Sequence, residues 1–212
     1  MIIHPKARLL LPLVAALALS ACMAPFEARV ARFQLLPPPS GTSFVVEPRD
    51  KTNEGGLEFA TYANLVRQKL VAAGFQEAAN AESAALTVQL DYHVSAPREK
   101  VQSRLGMGWG GMGGGFGGLG GFGGWGGGWN NEVYSVTNYN TVVAMRINRN
   151  ADKKSVFEGR AETVSNSNNL TRLVPNLVTA MFTNFPGSSG ETVRVRFDPA
   201  KPDVAPTVKP VR

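Results

Sequence analysis

The chain has 212 residues, 43% of them hydrophobic, a formal charge of +6 and a single cysteine. That length allows one domain with tails or two small ones, and one cysteine excludes an intramolecular disulfide. The basic residues are scattered, with no run of five or six. Nucleic-acid binders usually gather such charge into a stripe, so the composition speaks against nucleic acid as a partner.

Residues 1–21 read as an export leader. Lys6 and Arg8 form a positive start, and Leu9 to Leu19 is an apolar run of eleven residues. A helix of that length cannot cross a bilayer core of about 30 Å, whereas an apolar stretch with these flanks suits a cleaved signal peptide. Leu19-Ser20-Ala21-Cys22 then resembles the lipobox of bacterial lipoprotein precursors. That resemblance implies lipid attached to the Cys22 sulfur and cleavage before it, so the membrane would be met through a lipid anchor. With Lys6 and Arg8 removed, the charge of the mature chain would be +4. Met23 stands where an Asp favours inner-membrane retention in Gram-negative relatives, which points to the outer membrane, on its periplasmic face.

Residues 22–41 read as a lipidated tether stiffened by Pro37, Pro38 and Pro39, in which Val30, Phe33 and Leu35 begin a first strand. The folded domain is expected over 42–197. Phe44-Val45-Val46 is a short strand closed by Pro48, and Asp50 to Gly56 is a polar loop. From Leu57 to Ala73 the apolar residues Phe59, Tyr62, Ala63, Val66 and Leu70 recur at three and four, the period of an amphipathic helix. Gly74 sits where a helix end wants a positive φ, and Phe75 is placed to pack back on the last turn. Ala84 to Ser95 alternates, with Leu86, Val88, Leu90, Tyr92 and Val94 on one face and Asp91 and His93 on the other, as in a half-buried strand.

Residues 106–128 hold sixteen glycines among twenty-three residues and no charge. All three tryptophans, Trp109, Trp125 and Trp129, lie in or just after this stretch. Two readings stand side by side. One is a mobile linker between strands. The other is a low-complexity segment whose Trp109, Phe116, Phe122, Trp125 and Trp129 contact a partner or a membrane, since displayed aromatics tend to mark interaction surfaces.

Tyr134 to Arg149 and Ser155 to Val164 alternate again around a turn at Asn150 to Lys153, predicting a hairpin. Leu170 to Phe185 carries a helical apolar stripe, and Pro175 places the regular start near Leu173. Val193, Val195 and Phe197 form a last strand. The tail 198–212, with four prolines and little to bury, is expected to be disordered. The sum is an α+β two-layer sandwich, a mainly antiparallel sheet of four or five strands covered on one face by two helices, with a long Gly-rich loop.

The order of these elements resembles the bacterial lipoproteins that share the DUF4136 domain. The residues carrying the resemblance are Phe44-Val45-Val46, Leu65-Val66 to Leu70 closing on Ala73-Gly74-Phe75, Ala85-Leu86-Thr87-Val88, Phe157-Glu158-Gly159 and Phe185-Pro186. It implies an envelope lipoprotein without an established biochemical activity. The pure-glycine insert departs from the pattern and bears on the loop rather than on the fold.

No catalytic constellation is legible. His93 is the single histidine after the leader, and Asp91 lies two residues away on the same strand face. One histidine and one acylated cysteine do not make a zinc site, so neither a metal nor a cofactor is expected. No serine sits in a G-x-S-x-G turn. The expected function is a non-enzymatic binding or scaffolding module of the cell envelope, with an envelope protein as partner and the oligomeric state open. An envelope hydrolase acting through carboxylates is the alternative.

Overall fold

The computed structural model describes residues 25–105 and 131–211. The leader, Cys22 and the segment 106–130, with Trp109, Phe116, Phe122, Trp125 and Trp129, lie outside the described residues. The architecture is α+β, with two helices on one face of a mostly antiparallel sheet. The strands are β1 (Phe26–Gln34), β2 (Ser43–Pro48), β3 (Gln76–Glu77), β4 (Leu86–Val94), β5 (Arg98–Leu105), β6 (Asn131–Arg149), β7 (Ser155–Ser165), β8 (Glu191–Phe197) and β9 (Thr207–Pro210). The helices are α1 (Leu57–Ala72) and α2 (Leu170–Phe182). The strand order is β3-β2-β4-β6-β7-β1-β8-β9, with β5 paired to the free part of β6. Among the described residues, only β2 pairs in parallel, with β3 and β4.

The core is a single layer between sheet and helices. From β4 come Leu86, Val88 and Leu90, from β6 Val143, Met145 and Ile147, and from β7 Phe157 and Ala161. Facing them are Phe59, Tyr62, Val66 and Leu70 of α1 and Val174, Leu177 and Met181 of α2. These strands and helices bury the faces that their alternation and three-four periodicity predict. The end of α1 also follows the expectation. Gly74 has φ +96°, and Phe75 is buried while its amide donates to the Leu70 carbonyl at 3.1 Å.

Four expectations need correction. The segment read as a tether supplies β1, an interior strand between β7 and β8. Its buried face is Ala28, Val30 and Arg32, while Phe33 and Leu35 are 60% and 80% exposed. Alternation misled there because one of the inward positions carries a charge.

The stretch after Ser95 contains β5, which pairs with residues 131–138 of β6. Its sequence, Arg98 to Leu105, is mostly polar. Among the described residues β5 pairs with β6 alone, and a mostly polar sequence marks no inward face.

Helix α2 starts at Leu170, capped by the Asn169 side chain, which accepts from the Arg172 amide at 3.3 Å. Pro175 is inside the helix, where it removes one bond without stopping the first turn.

The tail is not wholly disordered, since β9 pairs with the outer edge of β8 and Val208 packs against the core. Proline is tolerated there because β9 is an edge strand.

Candidate functional site

The helices cover one face of the sheet, and among the described residues no helix packs on the other, here called the open face. Strand register arranges that face in rows. Arg29, Glu162, Val142 and His93 lie side by side on β1, β7, β6 and β4. The next row is Ala31, Arg160, Ala144 and Asp91, and the one after it Phe33, Glu158, Arg146, Gln89 and Glu47. Ala31 and Ala144 are small on either side of Arg160. They floor a shallow cavity of about 260 Å³ whose walls include Phe33, Arg49, Arg146 and Arg160.

Opposite charges on this face meet across and along strands. Arg146 reaches Glu158 at 3.1 Å, and Arg160 reaches Glu162 at 3.2 Å. Such exposed pairs each contribute about 1 kcal/mol at most, so they shape the surface more than they stabilise it. The His93 Nδ1 lies 3.5 Å from an Asp91 carboxylate oxygen. The histidine is half exposed and on the open face, as its place in the alternation predicts. Among the described residues no group of three or more His, Cys, Asp or Glu is placed to hold a metal ion.

Among the described residues, Arg32 is the buried charge on the covered face. The Arg32 guanidinium is 1% exposed and 2.9 Å from Glu191. It also donates to the carbonyls of Thr183 at 2.7 Å and Ala180 at 3.3 Å, at the C-terminal end of α2. Helix C-termini leave carbonyls unpaired and carry partial negative charge, so the two terminal nitrogens of the buried cation find acceptors there and at Glu191, while its Nε has none among the described residues. Burial lowers the Arg32 pKa, and the nearby Glu191 carboxylate opposes that shift. On α1, the Tyr62 hydroxyl donates to Glu58 at 3.0 Å, and its ring meets Tyr92 edge-on at 4.8 Å. Burial first, and the hydrogen bond to Glu58 second, push the Tyr62 pKa above the ordinary tyrosine value.

The remaining feature is the arm made by β5 and the first part of β6. Residues 139–148 of β6 pair with β7 and residues 141–149 with β4, whereas residues 131–138 pair with β5 alone among the described residues. Leu105 and Asn131 are partners, so the Gly-rich segment joins the two ends of this ribbon. Tyr139 pairs with Ser165 at the end of β7. Because β1 runs antiparallel to β7, with Arg29 opposite Glu162, that is also the end where β1 starts at Phe26. The arm therefore leaves the sheet from the end at which the chain enters it.

Sequence reasoning placed its candidate residues at Cys22 and in the aromatic segment, all outside the described residues. It passed over the arginines of the open face, whose signal was their position on the polar side of each strand.

The model of a domain of unknown function, DUF4136, matches residues 31–187. No curated protein matches the chain. Among solved structures, a PDZ domain protein from Parabacteroides distasonis is similar over 87% of this chain, with 14% identity and a TM-score of 0.46. The chain spans only 42% of that protein. Two crystal forms of the PelC dodecamer from Paraburkholderia phytofirmans are similar over 71% of this chain, with TM-scores of 0.38. Their identities are 11% and 12%, and 91% and 92% of their own lengths are covered.

Proposed function

The chain belongs to the DUF4136 family, and from that premise we propose that it is a non-enzymatic lipoprotein of the outer membrane. It is anchored through Cys22 and acts as a binding or scaffolding module at the periplasmic surface. The observation that carries this reading is the shared end of β1 and the arm. Three residues, Met23, Ala24 and Pro25, lie between Cys22 and Phe26, and the four steps reach at most about 14 Å. Residues 131–138 of β6 extend about 27 Å at the rise of an antiparallel strand. A lipid held so close to Phe26 keeps the arm near the bilayer, where Trp109, Trp125 and Trp129 meet the membrane interface or a partner at its surface. Tryptophan suits that zone because its ring is apolar and its N–H is polar.

The test has two parts. Labelled palmitate should enter the wild-type chain and not the Cys22→Ala variant, and the wild type should fractionate with outer membranes. Label entering the variant would remove the anchor from this reading. All three tryptophans lie in or beside the aromatic segment, so intrinsic tryptophan fluorescence reports on that segment alone. With the full lipidated chain in vesicles, brominated acyl chains should quench this fluorescence. In-cell crosslinks from the three tryptophan positions should capture an envelope partner. Unquenched fluorescence together with no crosslink would reduce the segment to a linker.

A further inference from the structure

The outer corner of the open face, on β1, β8 and β9, carries a register that sheets normally avoid. Arg194 stands directly opposite Arg29 on one side and Lys209 on the other, so three cations form one cross-strand row. Like charges so placed are destabilising. In the neighbouring row Arg196 is opposite Glu27 and Thr207. The Glu27 carboxylate does not serve Arg196, however, and instead lies 3.3 Å from Nε of Arg194. Among the described residues, no carboxylate comes within ion-pair distance of Arg196 or Lys209, and both are exposed. Glu27, Arg194, Arg196, Thr207 and Lys209 together line a cavity of about 410 Å³.

We propose that this corner is a binding site for a phosphate-bearing anion of the phosphomonoester class. Three cations and one carboxylate leave a formal charge of +2 on the lining residues. A phosphomonoester carries about −1.5 to −2 at pH 7, which matches that excess, whereas a single carboxylate would leave half of it uncompensated. Arg196 offers a planar fork suited to two phosphate oxygens, Lys209 a point charge, and Thr207 a hydroxyl donor. The anion would relieve the repulsion within the row, so the like-charge register has a use when the ligand is bound. The phosphate could be presented by a soluble metabolite or by a lipid headgroup, and the same residues would read either. The site rests on β1, β8 and β9 alone and does not depend on the anchor at Cys22.

The experiment uses the full chain in a neutral detergent at constant ionic strength. Inorganic phosphate, phenyl phosphate and phosphatidic acid in mixed micelles are each titrated against chloride and acetate controls. Melting temperature and calorimetric binding are read for the wild type, for the Arg196→Gln, Lys209→Gln double variant, and for Glu27→Gln. Phosphate compounds should raise the wild-type melting temperature well beyond the controls. The double variant should bind at least tenfold more weakly, while its unliganded melting temperature stays level or rises. Glu27→Gln, with one more net positive charge, should bind more tightly. A response to phosphatidic acid alone supports the site with a lipid as source, and a response to the soluble compounds supports it with a free ligand. Equal responses from the wild type and the double variant, a response no larger than that to acetate, or no response to any phosphate would each overturn it.

Discussion

The Arg32 guanidinium meets the Glu191 carboxylate at 2.9 Å while two of its donors reach the Ala180 and Thr183 carbonyls, tying β1 to the end of α2 and the start of β8. Gly187 makes this possible. Its φ is +77°, and a Cβ there would run into both the Glu191 carboxylate and the Arg32 guanidinium.

Removing one partner of a buried pair leaves the other unpaired, at about 3–5 kcal/mol. The Glu191 left behind is 24% exposed, so Arg32→Ala should cost up to that much by denaturant unfolding, with the helix carbonyls also losing their donor. Glu191→Gln, which keeps an acceptor beside Arg32, should cost clearly less. Gly187→Ala should be destabilising through both strain and displacement of the pair. An Arg32→Ala protein as stable as wild type would show that the clamp contributes nothing net.

The two faces of β4 make opposite predictions. Val88 is fully buried, so Val88→Asp puts a carboxylate among apolar side chains at several kcal/mol. That is comparable to the whole stability of a domain, about 5–15 kcal/mol, and the variant should fail to fold or be recovered aggregated. His93 is half exposed with only Asp91 beside it, and His93→Ala should shift stability by no more than about 1 kcal/mol. A large loss for the histidine variant would contradict its placement on the open face.

Tyr62 sets an alkaline limit. Its pKa is raised by burial and by donating to Glu58, so the folded chain keeps this proton where the unfolded chain, with an ordinary tyrosine pKa of about 10, loses it. The contribution is complete below about pH 10 and is lost as pH rises toward the folded value. Stability should thus fall above about pH 10, and Tyr62→Phe should flatten the decline. Burial also raises the Tyr92 pKa, so ultraviolet titration should find late-ionising tyrosines of which the latest is lost in Tyr62→Phe, and an unchanged titration in that variant would refute the burial of this hydroxyl.

Replacing residues 106–128 with a short Gly-Ser loop should leave circular dichroism and the melting transition intact. Halving a loop changes its closure cost by only about 0.6 kcal/mol, and the ribbon on either side is already paired. If the segment is an interaction element, this variant stays folded and anchored but loses its crosslinks, as should the triple change of Trp109, Trp125 and Trp129 to Ser. A folded replacement with unchanged crosslinks would leave a plain linker, and an unfolded one would make the segment part of the core.

The sequence by itself determined the elements whose buried positions are apolar at a regular interval. Leu86, Val88 and Leu90 on alternate positions, and Phe59, Tyr62, Val66 and Leu70 at three and four, mark their inner faces because each packs against a continuous apolar layer. Tertiary structure decided the rest, for reasons specific to each place. The inward face of β1 is invisible in sequence because Arg32 pairs with Glu191 and with carbonyls about 150 residues away. The ribbon of β5 and β6 is joined by backbone pairing, which leaves no periodic signal in the mostly polar sequence of β5. Strand β9 exists because β8 offers an open edge and Val208 a place to pack. The basic residues that look scattered along the chain become a cluster because antiparallel pairing sets Arg29 beside Arg194 and Arg194 beside Lys209. Periodicity is a local property of the chain, whereas the partner that neutralises a buried charge, or the neighbour that concentrates an exposed one, is chosen only when distant strands meet.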